Sequence, residues 1–90
     1  MPESAAHWAA VIVNYNAGPL LARCASSVLA DSSSGPVELV VVDNGSSDDS
    51  LAELAARVPE ARVVLARDNL GYARAANFGI AVTAAPLVAV

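Results

Sequence analysis

The sequence predicts an α/β fold, a three-layer α/β/α sandwich built around a parallel sheet. Short apolar runs rich in β-branched residues alternate with segments whose apolar residues recur at helical spacing. Clusters of glycine, proline, asparagine and serine separate these segments. The resulting order is β-α-β-α-β-α-β, and strands joined by connections of helical length run parallel with right-handed crossovers. We therefore expect one small doubly wound domain.

The first half of the chain predicts two strands and a helix. The segment from Trp8 to Tyr15 contains the run Ala-Ala-Val-Ile-Val, which is typical of a buried parallel strand. Pro19 suits the first position of a helix that runs to Ala30, because its missing N–H has no partner there in any case. The second strand is expected from Val37 to Val42. The apolar stripe of the helix, with a buried cysteine thiol, is expected to comprise Leu20, Leu21, Cys24, Val28 and Leu29.

The segment after the second strand predicts another helix. Ser46 or Ser47 is expected to cap it, and Asp48 and Asp49 in its first turn would complement the positive end of the helix dipole. Pro59 closes the helix. Its buried face is expected to comprise Leu51, Leu54, Ala55 and Val58.

A third strand is expected from Arg62 to Ala66, a third helix from Tyr72 to Val82 and a fourth strand over Leu87–Val90. Gly79 inside the third helix indicates a close approach to the sheet. Because the last strand ends with the chain, we expect a fragment whose uncovered edge favours self-association. The core side of the third helix is expected to comprise Ala75, Ala76, Gly79 and Ile80.

The composition excludes several classes of protein. The net charge is −4, with five arginines and no lysine, so a polyphosphate backbone is not indicated and we expect no nucleic acid partner. No apolar run approaches the roughly 18 residues of a transmembrane helix. The N-terminus carries an acid and no basic segment before the first strand, which argues against a secretory signal. We therefore expect no transmembrane segment and a cytoplasmic location.

Three loops are expected at the carboxyl edge of the sheet, where ligands bind in such folds: Asn14–Gly18, Asp43–Ser47 and Arg67–Gly71. Asp43 is the most informative residue, because it ends an apolar strand at this edge. Its carboxylate can accept the imide N3–H of uracil or thymine, or ribose hydroxyls. Alternatively it caps its own turn through Gly45 in an Asx-type arrangement. Spacing alone leaves both interpretations open.

Two other functional classes are less well supported. A non-catalytic α/β module that binds a nucleotide or a protein partner would use the acidic loops for recognition. A phosphoacceptor receiver of this class needs a lysine near its acids, and the chain has no lysine. An NAD-binding domain needs Gly-x-Gly-x-x-Gly after the first strand, where this chain has Asn-Tyr-Asn-Ala-Gly.

The strings VIVNYNAGPLLARCASSVLA, VELVVVDNGSSDDS and RDNLGYARAANFGI resemble the N-terminal half of the family 2 glycosyltransferases. These are inverting enzymes of GT-A fold that use nucleotide sugars, and the resemblance runs from about Ala10 to Val90. The NYN loop and the NxGxxxAxN pattern are most similar to the rhamnosyltransferase-like branch. The resemblance implies a truncated, Rossmann-like nucleotide-binding half. It also implies transfer of a sugar, with rhamnose as one candidate, from a dTDP- or UDP-sugar to a hydroxyl of a carbohydrate or glycolipid acceptor.

The resemblance also implies a set of nucleotide-binding residues. Asp43 would recognise the base, and Arg74 would hold phosphate unless it is an ordinary solvated helix arginine. The complete implied set is Tyr15, Asn16, Asp43, Asn69, Gly71 and Arg74.

Four further residues are interpreted as structural. Asn77 would brace its helix against a neighbouring loop, and Tyr72 and Phe78 would pack as aromatics. His7 lacks a nearby acid or nucleophile in the sequence and is not a catalytic candidate.

The family's acidic motif for Mg²⁺ or Mn²⁺ follows the fourth strand, and this chain ends at Val90. Neither Asp43 nor the pair Asp48 and Asp49 is expected to replace it, because adjacent carboxylates on a helix point to different sides. The family's general base also lies beyond this strand. The resemblance therefore implies metal dependence for the complete enzyme, with no metal ligands and no catalytic residue here, and an inactive isolated chain.

Overall fold

The computed structural model of the protein describes residues 8–30, 37–66 and 70–83, together with the backbone of 87–89. His7 and the loop at 31–36 lie outside the described residues. Within the described ranges, the order of strands and helices is the expected one. The elements are β1 (Trp8–Asn14), α1 (Pro19–Ala30), β2 (Val37–Asp43), α2 (Ser50–Arg57), β3 (Arg62–Leu65), α3 (Tyr72–Val82) and β4 (Leu87–Ala89).

The sheet is parallel, with the strand order β3-β2-β1-β4. The chain moves outward from β1 to β3 and then returns to the other side of β1. In open α/β sheets the point at which the strand order reverses opens a crevice outside the carboxyl ends of the strands. That point lies here between β1 and β4. The register places Asn14, the last residue of β1, directly opposite Asp43, the last residue of β2.

Two apolar clusters show that helices cover both faces of the sheet, which confirms the three-layer architecture. Residues of α1 and α2 pack on one face, and α3 packs on the other. The strand residues alternate between the two clusters, as the two-residue repeat of a strand requires. The buried members of the first cluster are Ala10, Leu21, Ala25, Leu39, Val41, Leu54 and Val58. Those of the second are Val11, Val40, Val42 and Ala75.

The predicted stripe of α1 is partly wrong. Leu20 and Cys24 are exposed, so the expectation of a buried thiol is incorrect. The buried side consists of Leu21, Ala22 and Ala25. Alanine allows a helix to approach its neighbours closely, and α1 contacts both α2 and the sheet. The buried side of α1 is therefore displaced by about one residue from the predicted one, with Leu21 in place of Leu20 and Ala25 in place of Cys24.

The predicted start of α2 is also wrong, because the helix begins at Ser50 and Asp49 is its N-cap residue. The Asp49 side chain makes no capping hydrogen bond. Leu54 and Val58 are buried as expected, whereas Ala55 is exposed. The residues predicted to cap the helix instead belong to a loop that contacts β1, described below.

The sheet-facing side of α3 is made of small residues, and Gly79 is the closest point. A β-carbon at Gly79 would lie 2.4 Å from Cγ1 of Val11 and 2.9 Å from Cγ2 of Val42. The predicted close approach is therefore confirmed. Ile80, expected in the core, is largely exposed, and so are Tyr72 and Phe78. Large side chains are excluded from a contact this tight, so the interpretation of both aromatics as packed is incorrect.

One edge of the sheet is formed by β3, whose side chains are largely exposed. Val63 and Leu65 project on the α1–α2 face and are 41% and 66% exposed. On the opposite face, the Arg62 guanidinium donates to the carbonyl of Val82 at 2.8 Å and pairs with Glu38 at 3.6 Å. These polar contacts hold the C-terminal end of α3 against the edge strand.

Replacing Gly79 with alanine should destabilise the protein although it improves helix propensity. The expected loss in the free energy of unfolding is about 1 to 2 kcal/mol, because overpacking outweighs a propensity gain of about 1 kcal/mol. Urea denaturation measures the effect. Asn77→Ala, at an exposed position of the same helix, is the control and should not lower stability. A Gly79→Ala variant more stable than the parent would contradict the close packing.

Self-association of the chain remains a prediction, and the exposed apolar edge of β3 suggests a variant that tests it. Leu65→Lys places a charge on this edge, and charged edge strands resist pairing with other chains. We expect the parent to sediment as oligomers and the variant to shift toward the monomer. A parent protein that is monomeric at all accessible concentrations would refute the prediction.

Candidate functional site

The loops after β1 and β2 meet at the carboxyl edge of the sheet, as expected. Asn14 and Asp43 face each other there, and they are only 1% and 4% exposed. Buried polar groups are rare in proteins unless they are hydrogen-bonded. The two side chains satisfy this rule mainly through each other and through the residues that follow Asp43.

Both oxygens of the Asp43 carboxylate have partners. Oδ1 accepts a hydrogen bond from Nδ2 of Asn14 at 2.9 Å, and Oδ2 accepts one from the backbone N–H of Ser46 at 3.0 Å. The second bond closes the turn through Gly45, so the Asx-type arrangement is present. An ionised carboxylate has about four acceptor sites, and two hydrogen bonds leave the others for a further donor. Recognition of a base by Asp43 stays a prediction.

Asn14 is the central hydrogen-bond donor at the carboxyl edge of the sheet. It was not among the site residues predicted from the sequence. Its Nδ2 lies 2.9 Å from Oδ1 of Asp43, 3.1 Å from Oγ of Ser46 and 2.9 Å from Oγ of Ser50. Its Oδ1 is buried and accepts no hydrogen bond from any described residue. An unsatisfied buried acceptor costs about 1–3 kcal/mol, which the three contacts of the amide nitrogen must offset.

Asn16 holds the first loop against the second. Its left-handed backbone, with φ at 53°, is one that asparagine tolerates better than most residues. Its Oδ1 accepts hydrogen bonds from the N–H groups of Ser47 at 2.8 Å and Asp48 at 3.2 Å, while its own N–H donates to Oγ of Ser46 at 2.9 Å. The side chain is therefore engaged within the protein. Tyr15, by contrast, is 54% exposed at the same edge and is accessible to a ligand.

Asp48 provides a second connection between the loops. Its Oδ2 accepts a hydrogen bond from the N–H of Gly18 at 2.9 Å. Its Oδ1 accepts from the hydroxyl of Ser50 at 2.5 Å and from the N–H of Ser50 at 3.1 Å. The hydrogen bond from the Ser50 hydroxyl, followed by that from its backbone, lowers the pKa of the Asp48 carboxyl below its ordinary value of 3.8. Asp48 thus ties the start of α2 to the start of α1.

The third loop joins the site through Asn44, a second buried residue that the sequence analysis did not single out. Oδ1 of Asn44 accepts a hydrogen bond from the N–H of Leu70 at 2.8 Å. Gly71 follows in a left-handed conformation, with φ at 78°, and forms the N-cap position of α3. This glycine is needed for its backbone angle, because an added β-carbon would meet no described atom within 4 Å. Asn69 lies outside the described residues.

The remaining candidates lie on the exposed side of α3. Arg74 is exposed and makes no hydrogen bond or ion pair with the described residues, so a role in holding phosphate stays a prediction. Asn77 is also exposed. No three potential metal ligands among aspartate, glutamate, histidine and cysteine come together within the described ranges. The described residues therefore do not form a site that fits Mg²⁺ or Mn²⁺.

Two of the residues missed by the sequence analysis had a recognisable signal. Asn14 ends an apolar strand in the same way as Asp43, and parallel neighbours end at the same edge. Asn44 begins an Asn-Gly turn directly after Asp43. Ser46 and Ser50 carried no such signal, because only the folded loop brings their hydroxyls to Asn14.

The contacts of Asp48 predict an acid-sensitive connection between the loops. Its pKa is lowered in the folded state, so its contribution to stability is present above about pH 3.8 and is lost as pH falls through the lower folded value. Asp48→Asn should flatten the decline of the melting temperature with acidification. Asp49→Asn is the matched control, because the Asp49 side chain makes no capping hydrogen bond to α2. Equal acid slopes for the parent and Asp48→Asn would contradict this role.

Comparison with known proteins identifies the family. The model of glycosyl transferase family 2 matches residues 9–90. The chain is 38% identical over 79% of its length to the N-acetylglucosaminyl-diphospho-decaprenol L-rhamnosyltransferase of Mycobacterium tuberculosis. It is 36% identical over 89% to the succinoglycan biosynthesis protein ExoU of Rhizobium meliloti, and 35% identical over 88% to an uncharacterized glycosyltransferase of Nostoc sp..

The chain spans about a quarter of the length of these relatives, namely 23%, 24% and 25%. None of the helices in its described part has the length and apolar character that a bilayer span requires. The strand order, the loops gathered at the carboxyl edge and the match over residues 9–90 agree with one another. The chain belongs to glycosyltransferase family 2, as a GT-A-like α/β unit.

Proposed function

We propose that this chain forms the donor-nucleotide half of an inverting glycosyltransferase. The donor would be a UDP- or dTDP-sugar, and the acceptor a hydroxyl group of a carbohydrate or glycolipid. Family membership supports the reaction class, and the mycobacterial relative, named as a rhamnosyltransferase, supports rhamnose as the sugar. Its acceptor, a sugar linked through diphosphate to decaprenol, supports a glycolipid acceptor.

The observation that carries the proposal is the position of Asp43. This carboxylate ends a central strand at the carboxyl edge, one strand away from the point at which the strand order reverses. A buried acid here is placed where ligands of α/β sheets bind. Its two remaining acceptor sites suit the N3–H donor of uracil or thymine, and Tyr15 presents an exposed ring from the neighbouring loop.

Burial of Asp43 defines what binding would require. The side chain is only 4% exposed, so a base reaches it only if the turn at Gly45 and Ser46 shifts outward. That turn is held by the hydrogen bond from the Ser46 N–H to Asp43, by the Ser46 hydroxyl contacts with Asn14 and Asn16, and by the hydrogen bond from the adjacent Ser47 N–H to Asn16. Opening it would expose the carboxylate while the bond from Asn14 persists.

The complete enzyme would need groups beyond those of this chain. A divalent cation such as Mg²⁺ or Mn²⁺, when bound to a complete enzyme, would supply positive charge to offset the negative charge of the departing nucleoside diphosphate. The described residues do not form a set of ligands that fits such a cation. The chain's own part is to bind and orient the nucleotide. We expect no sugar transfer by the isolated chain.

The chain should bind UDP and dTDP weakly and without added metal. Isothermal titration in the presence and absence of EDTA measures this binding. Asp43→Ala should weaken it about tenfold or more, the effect of losing one hydrogen bond to a charged acceptor. Asp49→Ala is the control, an exposed acid six residues away in sequence, and should bind as the parent does.

Two outcomes would contradict the proposal. One is the absence of any UDP or dTDP binding by the folded parent. The other is unchanged binding by Asp43→Ala, which would leave the carboxylate with its turn-capping role alone.

A further inference from the structure

We propose that Asn14 is a positioning residue for base recognition, because its side-chain amide fixes the orientation of the Asp43 carboxylate. This inference rests on the proposed function. It assigns to Asn14 a role distinct from general support of the loops, namely discrimination between a base that presents a donor at N3 and one that presents an acceptor.

The partners Asp43 and Ser50 determine the direction of two hydrogen bonds at Asn14. A carboxylate only accepts, so the nitrogen of the Asn14 amide must face Asp43. The hydroxyl hydrogen of Ser50 is directed to Asp48, so Ser50 must accept from Asn14. The amide orientation is therefore fixed by two independent constraints. A flip that exchanges the positions of Nδ2 and Oδ1 would place the Asn14 oxygen against the Asp43 carboxylate.

Two donors, one at the end of a strand and one in a loop, hold the carboxylate of Asp43. The N–H of Ser46 belongs to the turn that must move to admit a base, whereas Asn14 ends β1 and is held by the sheet. When the turn opens, Asn14 is the donor that keeps the carboxylate in a single orientation. Without it, the carboxylate could rotate, and its acceptor sites would no longer be directed at one position.

The burial of the Asn14 carbonyl oxygen argues for a requirement specific to the amide nitrogen. The side chain is 1% exposed, and its Oδ1 has no partner among the described residues. A hydroxyl-bearing residue would bury no such unsatisfied oxygen. Such a side chain, however, offers one donor hydrogen, whereas the amide offers two, which Asp43, Ser46 and Ser50 share.

The test compares binding of UDP and CDP to the intact chain. Uracil presents N3–H, and cytosine presents an acceptor nitrogen at the same place, so a fixed carboxylate favours UDP. We expect the parent to prefer UDP by about tenfold or more, and Asn14→Ala to reduce this preference to about threefold or less. Asp48→Asn is the matched control. The amide oxygen that it introduces can still accept from the Ser50 hydroxyl, so Ser50 still accepts from Asn14, while the acceptor for the N–H of Gly18 is lost and the same pair of loops is loosened. This variant should retain the preference.

The outcomes separate this inference from the function on which it rests. If the parent and Asn14→Ala show the same UDP preference while Asp43→Ala loses it, the positioning role is wrong and the proposed function stands. If Asp48→Asn loses the preference to the same extent as Asn14→Ala, the effect is general loosening and the inference is overturned. If the parent does not bind UDP, both fail.

A second variant keeps the inference testable if Asn14→Ala does not fold. Asn14→Ser keeps a small polar side chain with one donor hydrogen at the end of β1 and leaves no buried amide oxygen unsatisfied, so we expect it to fold. Because its side chain is shorter and offers one donor hydrogen where the amide offers two, we expect the UDP preference to fall to about threefold or less. A folded Asn14→Ser variant that prefers UDP to the same degree as the parent would overturn the assignment.

Discussion

The hydrogen bond between Asn14 and Asp43 is the contact on which the organisation of this edge depends. It joins the ends of the two central strands, whose register places the residues opposite each other. The loops that follow are then connected through Ser46, Asn16 and Asp48. Because Asn14 and Asp43 are buried and hydrogen-bonded to each other and to these loops, this edge should behave as one unit, and replacing one member affects the others.

Close packing of helices on the two faces of the sheet explains why the polar side chains at the carboxyl ends of β1 and β2 keep their positions. Small residues on α3 allow it to approach β1 and β2, with Gly79 against Val11 and Val42. On the other face, two alanines of α1, Ala22 and Ala25, are buried together with Leu21. Tight layers limit the movement of the strand ends, so the polar side chains at those ends keep fixed separations. The larger apolar side chains of α3, among them Tyr72 and Phe78, lie on the outside of that helix.

Membership of glycosyltransferase family 2 gives this arrangement a functional context. The matched residues make up about a quarter of each relative, so in those proteins the corresponding segment is one part of a longer chain. Under the proposed function, the contribution of this part would be recognition of the nucleotide. An acid held by a side-chain amide and by the backbone of its own turn is suited to such a task, because two donors define the direction in which its remaining acceptor sites point.

The sequence by itself determined the order and bounds of the strands and helices to within a few residues, the parallel sheet, and the close approach at Gly79. These features follow from local periodicity, turn residues and connection length. It did not determine which side of α1 is buried, since Leu20 and Cys24 compete with alanines on apolar character alone. Only the tertiary structure decided the partners of Asp43 and the central place of Asn14. Those depend on strand register and loop contacts between residues some 30 positions apart, which no local pattern encodes.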